Sequence, residues 1–296
     1  MFKKKENTAT LFLLLGVFFW GTTFVFIKEA VGIIDVFSFN SIRFFISSIF
    51  LSVIFIKRFK NFNYDILKKG FVIGLVLAFS FIFQTIGIRY TSVSNAAFIT
   101  GLNVVFVLIF VSFLDKTVPD FKNILAVLLA FIGLSLLTLN VSSEINIGDL
   151  WVLTSAVLFG VHLIMISRVI GDIDVPSFTI TQLFTVGTVT GILGFIFNGE
   201  IIFSDNLLVW RAILFCGILA TAYTFIVQAS LQRYLSEVKA AIIFSFEPIF
   251  AALIAFIYLG EILSLRQLFG GFLILLAMFI AKSKIESGKE KYYKKT

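Results

Sequence analysis

Between positions 11 and 27 the chain carries no charge, and apolar runs of similar length recur to its end. Ten nearly uncharged runs can be marked, at 11–27, 38–56, 71–88, 93–114, 123–140, 150–167, 177–197, 211–231, 239–259 and 265–281. A run of about 20 residues is what a helix needs to cross the hydrocarbon of a bilayer. The runs show no period-two alternation and are too long for barrel strands. Helices, which satisfy their backbone groups within the segment, are therefore expected. Charged residues make up 14% of the 296 residues, against about 25% in soluble domains. A water-soluble fold of this size has too much polar surface to fill from so few charges. The expected fold class is an all-α polytopic membrane protein of ten transmembrane helices. Lys3-Lys4-Lys5 before the first run resemble the start of a signal peptide. No small-x-small cleavage site follows, and the segment recurs later in the chain, so the run is read as a retained span.

The basic residues set the expected orientation. With the N-terminus in the cytoplasm, 19 of the 24 Lys and Arg residues fall inside and only Lys28, Arg89, Arg211 and Arg266 outside, with Arg43 within a span. That asymmetry predicts a multi-pass cell-membrane protein with both termini cytoplasmic and an even number of spans. The lysine-rich tail can touch anionic lipid or simply be solvated. The net charge of +7 does not predict a nucleic-acid partner, because the basic residues sit in tails and loops rather than on one face. A single Cys216 excludes a disulfide framework, and a single His162 excludes a paired-histidine metal motif. No cofactor and no metal are expected.

An internal repeat divides the chain. Gly32-x-Ile34-Asp35-Val36-x-Ser38-Phe39 recurs as Gly171-x-Ile173-Asp174-Val175-x-Ser177-Phe178, an offset of 139. Gln84, Arg89-Tyr90-x-Ser92 and Ala96-Ala97 recur as Gln228, Arg233-Tyr234-x-Ser236 and Ala240-Ala241, an offset of 144. The expected units are a cytoplasmic N-terminus (1–10), a five-helix repeat (11–140), a connecting loop (141–149), a second five-helix repeat (150–281) and a basic tail (282–296). Five spans per unit make the second unit enter from the opposite side. The charges agree, since the basic loop 57–69 has as its counterpart 198–211, which carries Glu200 and Asp205. Inverted repeats are a mark of secondary transporters, whose sites lie near the midplane between the halves.

Several segments resemble the EamA-type members of the drug/metabolite transporter superfamily. They are Trp20-Gly21-Thr22-Thr23-Phe24, Arg43-Phe44 and the stretch from Tyr90-Thr91-Ser92 to Leu102-Asn103. The second half adds Ala240-Ala241 through Glu247-Pro248, then Leu259-Gly260-Glu261 and Gly270-Gly271. The similarity spans roughly residues 10 to 281. It implies a ten-helix fold, a central cavity and export or exchange of amino acids, related metabolites or toxic compounds. Leu114-Asp115-Lys116 departs from its counterpart Leu259-Gly260-Glu261, so loop symmetry is imperfect there.

The candidate binding residues are the polar and aromatic side chains within spans. Glu247 is the one acid deep in a run, costly there unless it faces a cavity or a partner. Pro248 beside it withdraws a backbone donor, so a kink or gate is expected. Glu247 aligns with Asn103. Arg43, aligned with Gln182, can snorkel outward, pair with Glu247 or hold a substrate carboxylate through its planar fork. His162, aligned with Thr23, can carry a proton or bond a neighbouring helix. Gln84 and Gln228 are repeat mates that fit interhelical bonds as well as substrate contacts. Trp20 and Tyr223 supply apolar contact, while Trp151 and Trp210 read as interface anchors. The Phe residues are expected to face lipid. Asn95 and Lys239 can guard the two mouths, and Ala251-x-x-x-Ala255 and Gly187-x-x-x-Gly191 read as close-packing stripes.

These features predict a secondary transporter that moves a small organic solute by alternating access, with possible proton coupling through Glu247. No phosphate-binding G-x-x-x-x-G-K-[ST] loop occurs, so ATP is not the direct energy source. A membrane enzyme would need a nucleophile–base pair, a metal cluster or paired carboxylates, and the sequence has no such motif. A passive channel or lipid scramblase is the alternative. Substrate, direction, coupling ion and oligomeric state are not legible.

Overall fold

The structure, a computed structural model, describes residues 2–114, 116, 121–138, 146–170, 173–231, 243–244 and 246–281. Among them there is no strand. The first half comprises α1 (Phe2–Ala30), α2 (Val36–Ile54), α3 (Tyr64–Tyr90), α4 (Val93–Gly101), α5 (Asn103–Leu114) and α6 (Phe121–Thr138). The second comprises α7 (Ile147–Val169), α8 (Val175–Asn198), α9 (Leu207–Leu214), a π-helical segment (Phe215–Tyr223), α10 (Thr224–Leu231), α11 (Glu247–Leu259) and α12 (Leu265–Ala281). Seven stretches are long and apolar enough to cross a bilayer, counting Val93–Leu114 and Leu207–Leu231 as one each. Three shorter apolar helical stretches accompany them: Ile124–Gly133, Glu247–Leu259 and Leu265–Ala277.

The repeated Asp explains why α2 and α8 begin where they do. The Asp35 carboxylate accepts from the backbone N–H groups of Phe37 and Ser38, and Asp174 accepts from Ser177. Each satisfies donors that a helix start leaves free. The following aromatic, Phe39 or Phe178, is fully buried. Asn63 and Asn206 cap α3 and α9 in the same way. These caps lie outside the apolar runs, so α3 starts seven residues before position 71 and carries Lys68 and Lys69 within its first turns.

Helix contacts are interchangeable between the halves. α2 packs on α8 and α6 on α12, each helix meeting its own repeat mate. Other contacts come in exchanged pairs. The contact of α3 with α7 is answered by α1 with α9, the π-segment and α10, and that of α1 with α11 by α7 with α5. Two glycines make this exact at the atomic level. A Cβ on Gly21 would meet Phe250, the Glu247 carbonyl and Ala251, and one on Gly160 would meet Phe106, the Asn103 carbonyl and Val107. All three partners of Gly160 are the partners of Gly21 shifted by 144.

The polarity of the bundle is the reverse of a soluble protein's. Asn40, Ser80, Thr85, Gln182 and Thr190 are buried, while Phe113, Phe131, Phe195 and Phe256 are exposed. Asn40 and Thr85 bond each other between α2 and α3, and Ser41 donates to the Gly187 carbonyl between α2 and α8. Gly187 and Gly191 admit Phe45 and Ser41, and Ala251 and Ala255 are fully buried, so both small-residue stripes pack helices together.

Three expectations need correction. The fourth run is not one helix: α4 ends at Gly101 and α5 begins at Asn103. Pro248 does not kink a continuous helix but occupies the first turn of α11, where its missing N–H has no intrahelical partner to lose. The eighth run contains the π-segment, which no apolar pattern announces. Lys239, Ala240-Ala241 and the basic tail lie outside the described residues.

Candidate functional site

The two breaks fall at matched positions. Asn103 is the first residue of α5 and Glu247 the first of α11, 144 residues apart. The breaks turn both side chains toward one cavity of about 60 Å³ in which the centre of a water molecule can move. That is room for several waters, at roughly 10–15 Å³ each. The first half contributes Trp20, Thr23, Arg43, Gln84, Thr100 and Asn103 to its lining. The second contributes His162, Leu163, Gln228 and Glu247, and Phe81, Phe159, Phe225 and Phe244 supply apolar walls.

Arg43 does not snorkel. It is 1% exposed, its Nε donates to Thr221 Oγ1 at 2.9 Å, and its guanidinium lies 4.9 Å from the Phe81 ring centre and 5.2 Å from that of Phe44. Nor does it pair with Glu247: among the described residues the ion pairs are Arg58–Asp174 and Lys69–Asp65. Nη1 of Arg43 is buried without a hydrogen-bond partner. Two buried acceptors in the lining, Asn103 Oδ1 and Gln228 Oε1, are also unpartnered. The cavity thus presents donor and acceptor positions that the protein leaves unused.

Several other polar groups of the lining are bonded within the protein, Glu247 not among them. His162 Nε2 and Gln182 Oε1 are 2.9 Å apart, so the histidine is tied to α8 while lining the cavity. Gln84 donates to Thr100 Oγ1 at 3.2 Å. Trp20 Nε1 donates to the Ala220 carbonyl at 2.7 Å, and its ring meets Phe225 and Phe244 edge-on. Tyr223 is not part of the lining; its hydroxyl donates to the Phe12 carbonyl and its ring packs on Phe19. Pro248 is also absent from the lining and stands in the first turn of α11, next to Glu247. Trp151 stacks on Phe83, and Trp210 donates to the Ser204 carbonyl, both away from the cavity.

One end of the bundle is closed by polar contacts around the start of α4. Lys28 Nζ donates to the carbonyls of Ile88, Arg89 and Thr91. Thr91 donates to the buried Asp149, the Ser94 N–H to Glu261, and Gln267 to Asn95. Nothing in the sequence marks Asp149, which stands at a span edge where acids are ordinary.

Four phenylalanines of the lining contradict the expectation that Phe faces lipid. Nothing in their local sequence separates them from the exposed ones. Thr221 and Gln182, which hold Arg43 and His162, likewise carry no local mark. The signal that finds Gln182 is repeat alignment with Arg43; Thr221 has only its place in the π-segment.

Residues 7–139 and 146–282 each match the model of the EamA-like transporter family. An uncharacterized transporter of Archaeoglobus fulgidus is 34% identical over 281 residues, covering 95% of this chain and 88% of that one. The uncharacterized transporter YyaM of Bacillus subtilis is 26% identical, covering 94% of each chain. A crystal structure 15% identical in sequence superposes with a TM-score of 0.69 over 93% of this chain, a likeness of fold alone.

Proposed function

This chain belongs to the EamA-like transporter family, and we propose that it is a secondary carrier moving a small organic metabolite, such as an amino acid, by alternating access. The observation that carries this reading is the convergence of polar side chains from both repeats on one cavity. Each half brings a helix break to that cavity, at Asn103 and at Glu247. Broken helices beside a midplane site are how carriers expose backbone and polar groups to a solute without exposing them to lipid. The bundle is read as ten spans, with the three shorter apolar helices completing two inverted sets of five and both termini in the cytoplasm. The cavity accepts several waters, so loading a larger solute requires the halves to part, and their interchangeable contacts make rocking about the shared seam the natural motion.

Glu247 is the carboxylate of this cavity and the group assigned to proton coupling. The test is counterflow in proteoliposomes loaded with amino acids, amines or nucleobases. A saturable exchange signal is expected. Flux that rises linearly with concentration would instead make the protein a pore. In the same vesicles, Glu247→Gln is expected to keep exchange but abolish accumulation driven by a proton gradient, and undiminished accumulation would remove the coupling role.

A further inference from the structure

The offset between the repeats changes along the chain. Asn63 and Asn206 cap α3 and α9 and are 143 apart. Gly74 and Gly217 are also 143 apart and occupy matched places. A Cβ on Gly74 would meet the Gln182 carbonyl and Thr185, and one on Gly217 would meet the Arg43 carbonyl and Ile46, which are their repeat mates. Gln84 and Gln228, farther along, are 144 apart. One extra residue therefore lies between 217 and 228 in the second half, and this is where the helix adopts the π form, over Phe215–Tyr223. A π-bulge is what one added residue makes of an α-helix, and it loosens the carbonyls around it.

Those carbonyls are in use. Ala220 accepts from Trp20 Nε1, and Gly217 accepts from Ser47 on α2. Thr221, fully buried within the segment, accepts from Arg43 Nε. The first half has no equivalent: α3 is a regular helix there, and the residues facing Thr221 in the alignment, Leu77 and Ala78, offer no side-chain acceptor. Gln182, the mate of Arg43, bonds His162 instead. The inserted residue thus breaks the two-fold likeness at the one place where a buried cation lines the cavity. Once Thr221 and the two aromatic rings have oriented the guanidinium, Nη1 remains buried without a partner. A buried charge with an unused donor is strongly unfavourable unless something of opposite charge completes it.

We propose that the π-segment, through Thr221, positions Arg43 as the anchor for a carboxylate or similar monoanionic group on the transported solute. The proposal rests on the carrier reading and names the charge its site selects. Arg43 is the binding group and Thr221 a positioning residue.

The test uses full-length protein in proteoliposomes and matched probes: leucine, threonine and phenylalanine, the primary amide of each, and propionate beside propylamine. Wild-type protein is expected to exchange acids and to discriminate against their amides. Thr221→Val should raise KM for the preferred acid about tenfold with Vmax retained, the effect of losing a charge-assisted bond that orients a binding group. Thr221→Ser should restore the wild-type KM, and Arg43→Gln should erase the preference for acid over amide. A merely structural role would lower Vmax for every probe alike and leave that preference intact. Amides or amines exchanged as well as acids by the wild type, or a Thr221→Val protein with unchanged KM, would overturn the anchor and leave the carrier standing. Exchange of no probe here would overturn the anchor, and exchange of none in the wider panel of amino acids, amines and nucleobases would remove the carrier reading itself.

Discussion

Gly21 and Gly160 are repeat mates under different pressure. A methyl group on Gly21 would come within 2.7 Å of Phe250 Cβ, 2.8 Å of the Glu247 carbonyl and 2.9 Å of Ala251 N. On Gly160 the nearest atoms are at 3.2 Å. Backbone atoms of a packed helix cannot step aside as a side-chain tip can, so Gly21→Ala must push α11 away from α1. A destabilisation of about 1–3 kcal/mol is expected from such overpacking. Gly160→Ala should cost less, because a shift of a few tenths of an ångström accommodates it. Thermal unfolding of the two variants in the same detergent checks the order; equal midpoints would contradict it. Gly21→Ala also moves the first residue of α11, so it should disturb exchange as well as stability.

Among the elements, the capped starts of α2 and α8 show how one local rule serves two settings. Both Asp side chains cap their helices, but only Asp174 also receives Asn61 and Arg58 from the 3₁₀ turn Ile56–Asn61. Burial alone would raise the Asp174 carboxyl, yet the bonds from Ser177 and Asn61, with the Arg58 charge, together hold it below the usual carboxylate range. A lowered folded-state value means that the contribution to stability is present above the unfolded value, about 3.9, and is lost as pH falls through the folded one. Asp174→Ala should therefore cost roughly 0.5–2 kcal/mol at neutral pH, the usual range for a lost N-cap. The gap to wild type should close below about pH 4. Unfolding midpoints across that pH range measure it, and a gap that stays constant would mean the carboxylate's charge plays no part. The π-segment is the opposite kind of element, since its form follows from one extra residue rather than from any residue type.

For the whole molecule, the expected inversion of the halves has a direct measurement. The loops joining α2 to α3 and α8 to α9 are repeat mates, the first basic and the second carrying Glu200 and Asp205. Cysteines placed at Lys60 and at Asp205 should react with an impermeant maleimide from opposite sides of the membrane, while native Cys216, fully buried, stays silent. Labelling of both from one side would make the halves parallel and end the inverted reading. The apolar runs, the doubled Asp caps and the recurrence of Gln84 as Gln228 were enough to settle helices, a membrane environment and two related halves, because burial in lipid and helix capping act on residues close in sequence. The convergence of Arg43, Asn103, His162 and Glu247 was not written there. Nor was the choice of Thr221 over Glu247 as the neighbour of Arg43, a bond joining residues 178 apart. Period and polarity fix which way a side chain leaves its own helix, but the partner it finds depends on where a distant helix crosses. In this protein one inserted residue and two helix breaks, whose effect appears only when the halves are packed together, decided that.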